Sequence, residues 1–259
     1  MSASTAIVTG STSGIGLAIA ETLAEAGYNI LLNGFGDPTE ITEIAESLRH
    51  DYGVEAHHSP ADMSVPEEIE TMVAEGHARF GSVDVLVNNA GIQHTAAVEE
   101  FPRDRWDQIL AINLSSNFHA IQAALPIMRA QGAGRIVNVS SVHGHVGSVQ
   151  KAAYVAAKHG VLGLTKVVAL ETANSAITCN AVCPGWVRTP LVQKQIDAFA
   201  AREQVSEDEA ITRMLGEKQP SRNFVTPRQI GQAVLYLCSE AASEIRGSTI
   251  NVDGGWLAQ

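Results

Sequence analysis

The sequence predicts one α/β domain built on a Rossmann-type, doubly wound parallel sheet of about seven strands, with helices on both faces. Short apolar runs alternate with longer helical patterns along the 259 residues. Polar and glycine-rich segments follow the apolar runs, at the carboxyl ends of strands where such sheets bind ligands. No linker, repeat or low-complexity tract divides the chain, so residues 1–259 are predicted to form a single domain.

Composition narrows the class of protein. The formal net charge is −11 and no run of Lys or Arg occurs, which disfavours a nucleic-acid partner. No uninterrupted apolar run approaches the ~18 residues that cross a bilayer, and only four residues precede the first apolar strand, so neither a membrane-spanning segment nor a signal peptide is predicted. Cys179, Cys183 and Cys238 lack CxxC spacing, which predicts reduced thiols and a cytoplasmic protein; no metal site is predicted.

The first strand runs into a glycine-rich turn. Residues 5–9 read TAIVT, residues 10–16 read GSTSGIG, and Ile15, Ile19 and Leu23 then follow at helical spacing. Backbone N–H groups and the helix dipole at such a turn suit a pyrophosphate. A glycine turn alone is a weak pattern, but between a strand and a helix it favours a dinucleotide.

The second strand, residues 29–33, leads to the segment that would contact the adenosine ribose. NAD enzymes often place a carboxylate there and NADP enzymes a cation. No Lys or Arg occurs in residues 2–47, so NAD is favoured. Asp37 lies late for the carboxylate role, and Phe35 is an alternative contact near the adenine.

Two further strand ends carry candidate cofactor residues. The third strand, residues 54–59, is followed by Asp62 and Met63, and Asp62 either accepts from the adenine amino group or forms the turn before a helix at Pro66. The fourth strand, residues 83–87, ends in the small and amide residues NNAG, which suit packing beside a cofactor.

A long helix over residues 103–129 contains Asn113 in its middle. Asparagine is a mediocre helix former whose side chain competes for backbone groups, so its position predicts a local irregularity. A tolerated polar residue is the simpler alternative.

The fifth strand, residues 135–139, precedes the chemistry-bearing segment. Tyr154 and Lys158 are four residues apart, on one face of a predicted helix, and Ser141 precedes them. The ammonium should lower the phenol pKa toward the working pH, and Ser141 could hold a substrate oxygen. Taken alone, a Tyr-x-x-x-Lys pair is common on exposed helices.

The sixth strand, residues 177–182, ends in PGWVRTP. A charged helical segment over residues 191–216 follows, and residues 190–220 are predicted to form a lid over the site. A helix over residues 227–239 and a strand over residues 248–252 complete the sheet.

Together these motifs carry a family resemblance that covers nearly the whole chain. In order and spacing they resemble the short-chain dehydrogenase/reductase family. The matching elements are TGSTSGIG (9–16), NNAG (88–91), Asn113, Ser141, Tyr154-x-x-x-Lys158 and PGWVRT (184–189).

The resemblance implies a role for each position. Tyr154 would be the general acid/base and Ser141 would orient the substrate oxygen. Lys158 would bind the nicotinamide ribose and lower the tyrosine pKa, Asn113 would hold a water of a proton relay, and Thr189 would contact the carboxamide. The expected NAD-binding residues are Gly10, Thr12, Ser13, Gly14, Ile15, Gly16, Phe35, Asp62, Met63, Asn89, Ala90, Gly91, Tyr154, Lys158, Pro184, Gly185, Val187 and Thr189.

Five longer segments carry a narrower resemblance: LNGFGD (32–37), NNAGIQH (88–94), SVHGHV (141–146), AYVAAKHG (153–160) and EKQPS (217–221). They resemble bacterial members of the family that oxidise D-3-hydroxybutyrate to acetoacetate. This resemblance implies a clamp for the substrate carboxylate, which an ammonium, an imidazole and two amides can provide, and an apolar wall around the methyl group. The clamp would consist of Gln93, His143, Lys151 and Gln195, and the wall of Trp186 and Trp256.

Other functions share parts of this pattern. A 3-oxoacyl carrier-protein reductase has the same catalytic set but would normally use NADP and a basic docking patch. A sugar or steroid alcohol dehydrogenase would not need Lys151. A non-catalytic NAD-binding protein would not need Ser141, Tyr154, Lys158 and Asn113 together. The resemblance also implies a homotetramer.

Overall fold

The computed structural model describes residues 3–259. Within them, seven strands form one parallel sheet in the order β3-β2-β1-β4-β5-β6-β7. The predicted fold class is therefore confirmed. The strands are β1 Thr5–Val8, β2 Asn29–Asn33, β3 Ala56–Ser59, β4 Val85–Asn88, β5 Ala133–Val139, β6 Ala176–Pro184 and β7 Thr249–Val252.

Helices connect the strands and cover both faces of the sheet. They are α1 Gly14–Glu25, α2 Pro38–Tyr52, α3 Pro66–Phe80, α4 Arg103–Leu110, α5 Ser116–Gln131, α6 Ala152–Glu171, α7 Pro190–Glu203, α8 Glu207–Lys218 and α9 Pro227–Cys238.

The apolar core forms two layers, one on each face of the sheet. One layer includes Leu23 of α1 and Ile230 of α9. The other includes Ile69 of α3, Met128 of α5 and Val168 of α6. Burying one such side chain contributes about 1.5–3 kcal/mol, so the two layers hold the strands and helices in register.

Two predicted helices are divided. The helix predicted over residues 103–129 is α4 and α5 joined by a π-helical turn, Ala111–Ser115, which contains Asn113 and confirms the predicted irregularity. The helical segment predicted over residues 191–216 is α7 and α8, separated where Gln204 adopts a left-handed φ of 54°. Ser206 then caps α8 by accepting a hydrogen bond from the Glu209 N–H.

Helix α6 is long and apolar enough, by length and composition alone, to cross a membrane. In the structure its Val161, Thr165 and Val168 are buried. Asn138 of β5 donates a hydrogen bond to the Thr165 hydroxyl at 2.8 Å. These contacts make α6 a core helix that lies against the sheet.

The sheet order places the binding region. From β1 the chain moves outward to β2 and β3 and then returns to β4 on the other side of β1. At this reversal the loops after β1 and β4 diverge to opposite faces and leave a crevice at the carboxyl ends of the strands. The glycine turn and NNAG follow β1 and β4.

Candidate active site

A cavity of about 490 Å³ opens at the carboxyl ends of the strands. All of the residues predicted to bind the cofactor line it. So do Ser141, Gln93, His143, Gln195, Trp186 and Trp256 of the other predicted sets. Two predicted site residues, Asn113 and Lys151, do not line the cavity.

The glycine turn has the close packing that a pyrophosphate site requires. Gly10 and Gly14 have φ values of 63° and 57°, which favour glycine. A Cβ on Gly16 would overlap the Gly10 carbonyl oxygen. The Asn89 side chain donates hydrogen bonds to the carbonyls of Thr9 (2.9 Å) and Gly10 (3.0 Å). Because α1 begins at Gly14, its free N–H groups and dipole face the cavity, and the residues present fit a dinucleotide.

Asn33, at the end of β2, connects three cofactor loops and was missed by the sequence analysis. Its side chain is fully buried. The Gly10 N–H donates to its Oδ1 at 3.2 Å, and its Nδ2 donates to the carbonyls of Ser59 (3.2 Å) and Ala61 (2.9 Å). The signal for it was a polar residue closing a buried apolar strand.

The structure of the segment after β2 distinguishes the two candidate residues for the adenosine end, Asp37 and Phe35. Asp37 caps α2, accepting hydrogen bonds from the N–H groups of Thr39 and Glu40. Phe35 lines the cavity with its side chain 66% exposed, and its carbonyl accepts a hydrogen bond from the Thr12 hydroxyl at 2.9 Å. The structure thus places Phe35, and not Asp37, at the cavity wall.

Asp62 forms the turn that was one of the two interpretations of its position, and its contact with the adenine stays a prediction. Its carboxylate accepts hydrogen bonds from the N–H (2.8 Å) and hydroxyl (2.7 Å) of Ser64, which form the turn before α3. It also lines the cavity beside Met63.

Tyr154 and Lys158 lie on one face of α6 as predicted, with the ammonium 5.7 Å from the phenol ring centroid. Lys158 is buried and donates a 2.8 Å hydrogen bond to the Val139 carbonyl. Burial lowers its pKa to about 8. The burial of Tyr154 raises the phenol pKa, and the hydrogen bond with Ser141 opposes that rise.

The predicted lowering of the phenol pKa is therefore wrong for the ligand-free protein. Loss of hydration disfavours the phenolate more than the hydrogen bond from Ser141 favours it. The ammonium of Lys158 is itself engaged by Val139. The free enzyme consequently holds Tyr154 in its protonated form.

Asn113 joins the π-helical turn to the loop after β4. Its side chain makes a reciprocal pair with Ile92, accepting from the N–H and donating to the carbonyl, both at 2.9 Å. Asn117 donates to its main-chain carbonyl at 2.8 Å. The π-turn supplies the extra residue that aims Asn113 at this loop; its role in a water relay stays a prediction.

Two of the predicted carboxylate ligands have buried polar atoms without a partner. These are Nε2 of Gln93 and Nδ1 of His143. Burial and the nearby charge of Lys151 lower the pKa of His143 to about 4, so its imidazole is neutral at neutral pH. Unpaired buried polar groups are costly, which makes them a sign of a ligand site.

Lys151 immediately precedes α6, and its ammonium lies 5.3 Å from the ring centroid of Trp186. Burial lowers its pKa to about 8. An ammonium in this position is poorly hydrated, so a bound anion would stabilise its charged form. Gln195 reaches the same cavity from α7.

An aromatic wall closes this end of the cavity. The rings of Trp186 and Trp256 lie 5.9 Å apart, and His143 packs edge-on against Trp256 at 5.5 Å. Trp186 also packs on the small core between α7 and α8, which includes Ile196 and Met214. The wall and the predicted lid are thus one packed unit.

Comparison with known proteins places this site in a family. The family model described as enoyl-(acyl carrier protein) reductase matches residues 10–257. Two proteins named D-beta-hydroxybutyrate dehydrogenase, from Cupriavidus necator and Rhizobium meliloti, are 55% and 51% identical to this chain, over 98% of this chain and 98% and 99% of theirs. The chain belongs to the short-chain dehydrogenase/reductase family. This confirms the resemblance drawn from the motifs.

A solved structure agrees with the fold of this dehydrogenase. An actinorhodin polyketide ketoreductase with NADPH superposes with a TM-score of 0.92 at 38% identity, covering 98% of this chain and 97% of that one. Both proteins therefore share the sheet and the crevice at the carboxyl ends of its strands.

Proposed function

We propose that this enzyme catalyses the reversible, NAD-dependent oxidation of D-3-hydroxybutyrate to acetoacetate. The observation that carries the proposal is the pair of partnerless buried polar atoms, on Gln93 and His143, in the cavity that Ser141 and Tyr154 also line. A carboxylate two bonds from the reacting carbon would supply the hydrogen-bond partners that these atoms lack. The names of the two relatives at 55% and 51% identity support the same substrate.

The chain's own residues supply position and proton transfer. Ser141 holds the substrate hydroxyl and Tyr154 takes its proton, while Lys158 stabilises the phenolate that carries this role. NAD, when bound, would accept the hydride and add a positive charge to the site. That charge would oppose the effect of burial, which raises the phenol pKa in the free enzyme.

The carboxylate clamp gives the enzyme its preference for an acid. Lys151 provides the charge, and Gln93, His143 and Gln195 provide hydrogen-bonding groups. His143 at neutral pH is uncharged, so its tautomer with a proton on the carboxylate-facing nitrogen would donate one hydrogen bond. Charge-assisted hydrogen bonds of this kind are about twice as strong as neutral ones, which favours the acid over an uncharged alcohol.

The choice of NAD rests on the charges at the adenosine end. Among the described residues that line the cavity, Lys158 is the one Lys or Arg, and it lies at the nicotinamide end. Arg49 of α2 instead donates to the Ala56 carbonyl. A 2′-phosphate would meet Phe35 and no cation, whereas a ribose hydroxyl fits there.

Exposed apolar side chains and free cysteines support a proposed assembly and a proposed cellular location. Phe118 of α5 and Val167 and Leu170 of α6 expose apolar side chains, which supports the homotetramer implied by the resemblance. The three cysteines, Cys179, Cys183 and Cys238, are buried free thiols. Reduced thiols support a cytoplasmic location.

The test is NADH formation by the purified protein with each enantiomer of 3-hydroxybutyrate, with NADP in parallel. We expect turnover of the D-enantiomer with NAD. Turnover of an acyl thioester with NADPH, and none of the hydroxy acid, would instead identify a carrier-protein reductase. Turnover of an uncharged secondary alcohol alone would refute the clamp.

A further inference from the structure

Gln219 lies at the end of the lid and is fully buried. It follows the last residue of α8, and its own N–H donates to the Leu215 carbonyl at 2.8 Å. It does not line the cavity. A buried amide that touches neither cofactor nor substrate needs another explanation, because burying an amide is costly unless it is fully hydrogen-bonded.

The side chain of Gln219 connects the two ends of the lid. Its Oε1 accepts a 2.8 Å hydrogen bond from the Trp186 N–H, on the segment that leads into α7. Its Nε2 donates to the Asn223 carbonyl, on the segment that leaves α8. Thirty-three residues separate the two partners of the first bond, and one amide group therefore closes the base of the whole lid.

The main chain around Trp186 is held from the other side as well. The Val225 N–H donates to the Trp186 carbonyl at 2.9 Å, and Val187 pairs with Val225 in a short parallel bridge. Both backbone groups of Trp186 are thus bound by the segment that follows α8. These contacts hold the main chain from which the Trp186 ring projects.

The same amide also packs against the segment that carries Trp256. A Cβ on Gly185 would lie 2.7 Å from the Gln219 Oε1, and one on Gly254 would lie 2.7 Å from its Cγ. The Ser221 N–H donates to the Gly254 carbonyl at 2.9 Å. Glycine at these two positions lets the three segments approach each other.

We propose that Gln219 is a positioning residue that sets the separation of Trp186 and Trp256, and through it the length of hydroxy acid that the enzyme accepts. This inference rests on the proposed function. The two indole rings, 5.9 Å apart, form the wall beside the substrate methyl group. If the two rings could move apart, the pocket would admit a longer chain and bind the short acid less tightly, because discrimination by one methylene depends on close packing.

The test uses Gln219→Met, which has a similar size but neither donor nor acceptor, with Gln232→Met on the exposed surface of α9 as the control. The measurement is the ratio of kcat/KM for D-3-hydroxybutyrate to that for D-3-hydroxypentanoate, with NADH affinity measured by fluorescence. We expect the ratio to fall about tenfold in Gln219→Met, with an increased KM for the shorter acid. NADH affinity should stay the same, and Gln232→Met should match the wild type.

A second variant separates positioning from folding. Gln219→Glu keeps the acceptor for Trp186, and its buried carboxyl, protonated beside the Asn223 carbonyl, keeps a donor of different geometry, so we expect an intermediate ratio. Hydrogen exchange of the peptide covering residues 184–189 should be faster in Gln219→Met and only modestly faster in Gln219→Glu. An unchanged ratio and unchanged exchange in either folded variant would overturn the proposal.

The two proposals fail in different ways. If the wild-type enzyme does not oxidise D-3-hydroxybutyrate, the proposed function is wrong, and hydrogen exchange at Trp186 still decides whether Gln219 holds the lid base. If the wild type is active and selective but Gln219→Met keeps its selectivity, the positioning role alone is wrong.

Discussion

The ammonium of Lys158 donates a 2.8 Å hydrogen bond to the main-chain carbonyl of Val139. Val139 is the last residue of β5, two residues before Ser141, and Lys158 is one helical turn after Tyr154. This bond therefore sets the register between the strand that carries the serine and the helix that carries the tyrosine. It also gives the buried ammonium a hydrogen-bond acceptor.

Replacing Tyr154 with phenylalanine should remove turnover. The variant keeps the ring but loses the group that accepts the substrate proton, so kcat should fall by about 10²–10⁴-fold. NADH affinity, measured by fluorescence, should change little. Tyr52→Phe, on the surface at the end of α2, is the matched control. Wild-type turnover in Tyr154→Phe would exclude the phenol as the acid/base.

Lys151→Met should raise the KM for the hydroxy acid much more than it weakens NADH binding. The ammonium pKa is about 8 in the free enzyme because burial disfavours its charge. Below that pH Lys151 is charged and attracts the carboxylate. Above it the amine is neutral, so the wild-type KM should rise as pH increases through about 8. Lys151→Met should have a high KM without this dependence; an unchanged KM would refute the clamp.

Gly16→Ala should reduce NADH affinity by at least about tenfold, because the new Cβ would overlap the Gly10 carbonyl and displace the glycine turn. The melting temperature should also fall. Gly163→Ala in α6 is the control, since a Cβ there meets nothing within 4 Å. That variant should be as stable as the wild type or more stable by up to about 1 kcal/mol. Equal NADH affinity in both variants would contradict the assigned turn.

Gly36→Arg should shift cofactor preference toward NADP. A Cβ at Gly36 meets only Ile41, at ordinary contact distances of 3.5–3.6 Å, so a side chain can be accommodated there. The new guanidinium would supply the cation that a 2′-phosphate requires. We expect kcat/KM with NADP to rise about tenfold or more. Gly36→Gln, uncharged and of similar reach, should produce no such gain, and equal gains in both would exclude a charge effect.

The alternation of strands and helices could be predicted because its signals are local. Buried parallel strands are continuous apolar runs, and turns are marked by glycine and proline. The predicted boundaries of the strands were less accurate than their order. Strand β3 begins at Ala56 and not at residue 54, and β4 covers Val85–Asn88 and not residues 83–87. Where a strand begins depends on which neighbour it pairs with.

Residues that act through distant contacts could not be predicted. Asn33 bonds to Gly10 and Ala61, and Gln219 bonds to Trp186; these partners are 23, 28 and 33 residues away in the chain. Nothing in the local sequence distinguishes the Gln219 amide from a solvated one, and the one local signal for Asn33 is its position at the end of a buried apolar strand. Asp37 was a candidate for the ribose until the structure placed it on the N-terminus of α2.

The sequence by itself determined the order of strands and helices, the glycine turn after β1, and the spacing that puts Tyr154 and Lys158 on one helical face. These depend on periodicity and backbone preference, which act over a few residues. The tertiary structure alone decided the direction of the Tyr154 pKa shift, the partners of Asn33 and the hydrogen bond from the Trp186 N–H to Gln219. Desolvation and hydrogen-bond partners are set by groups that are distant in the chain and adjacent only after folding.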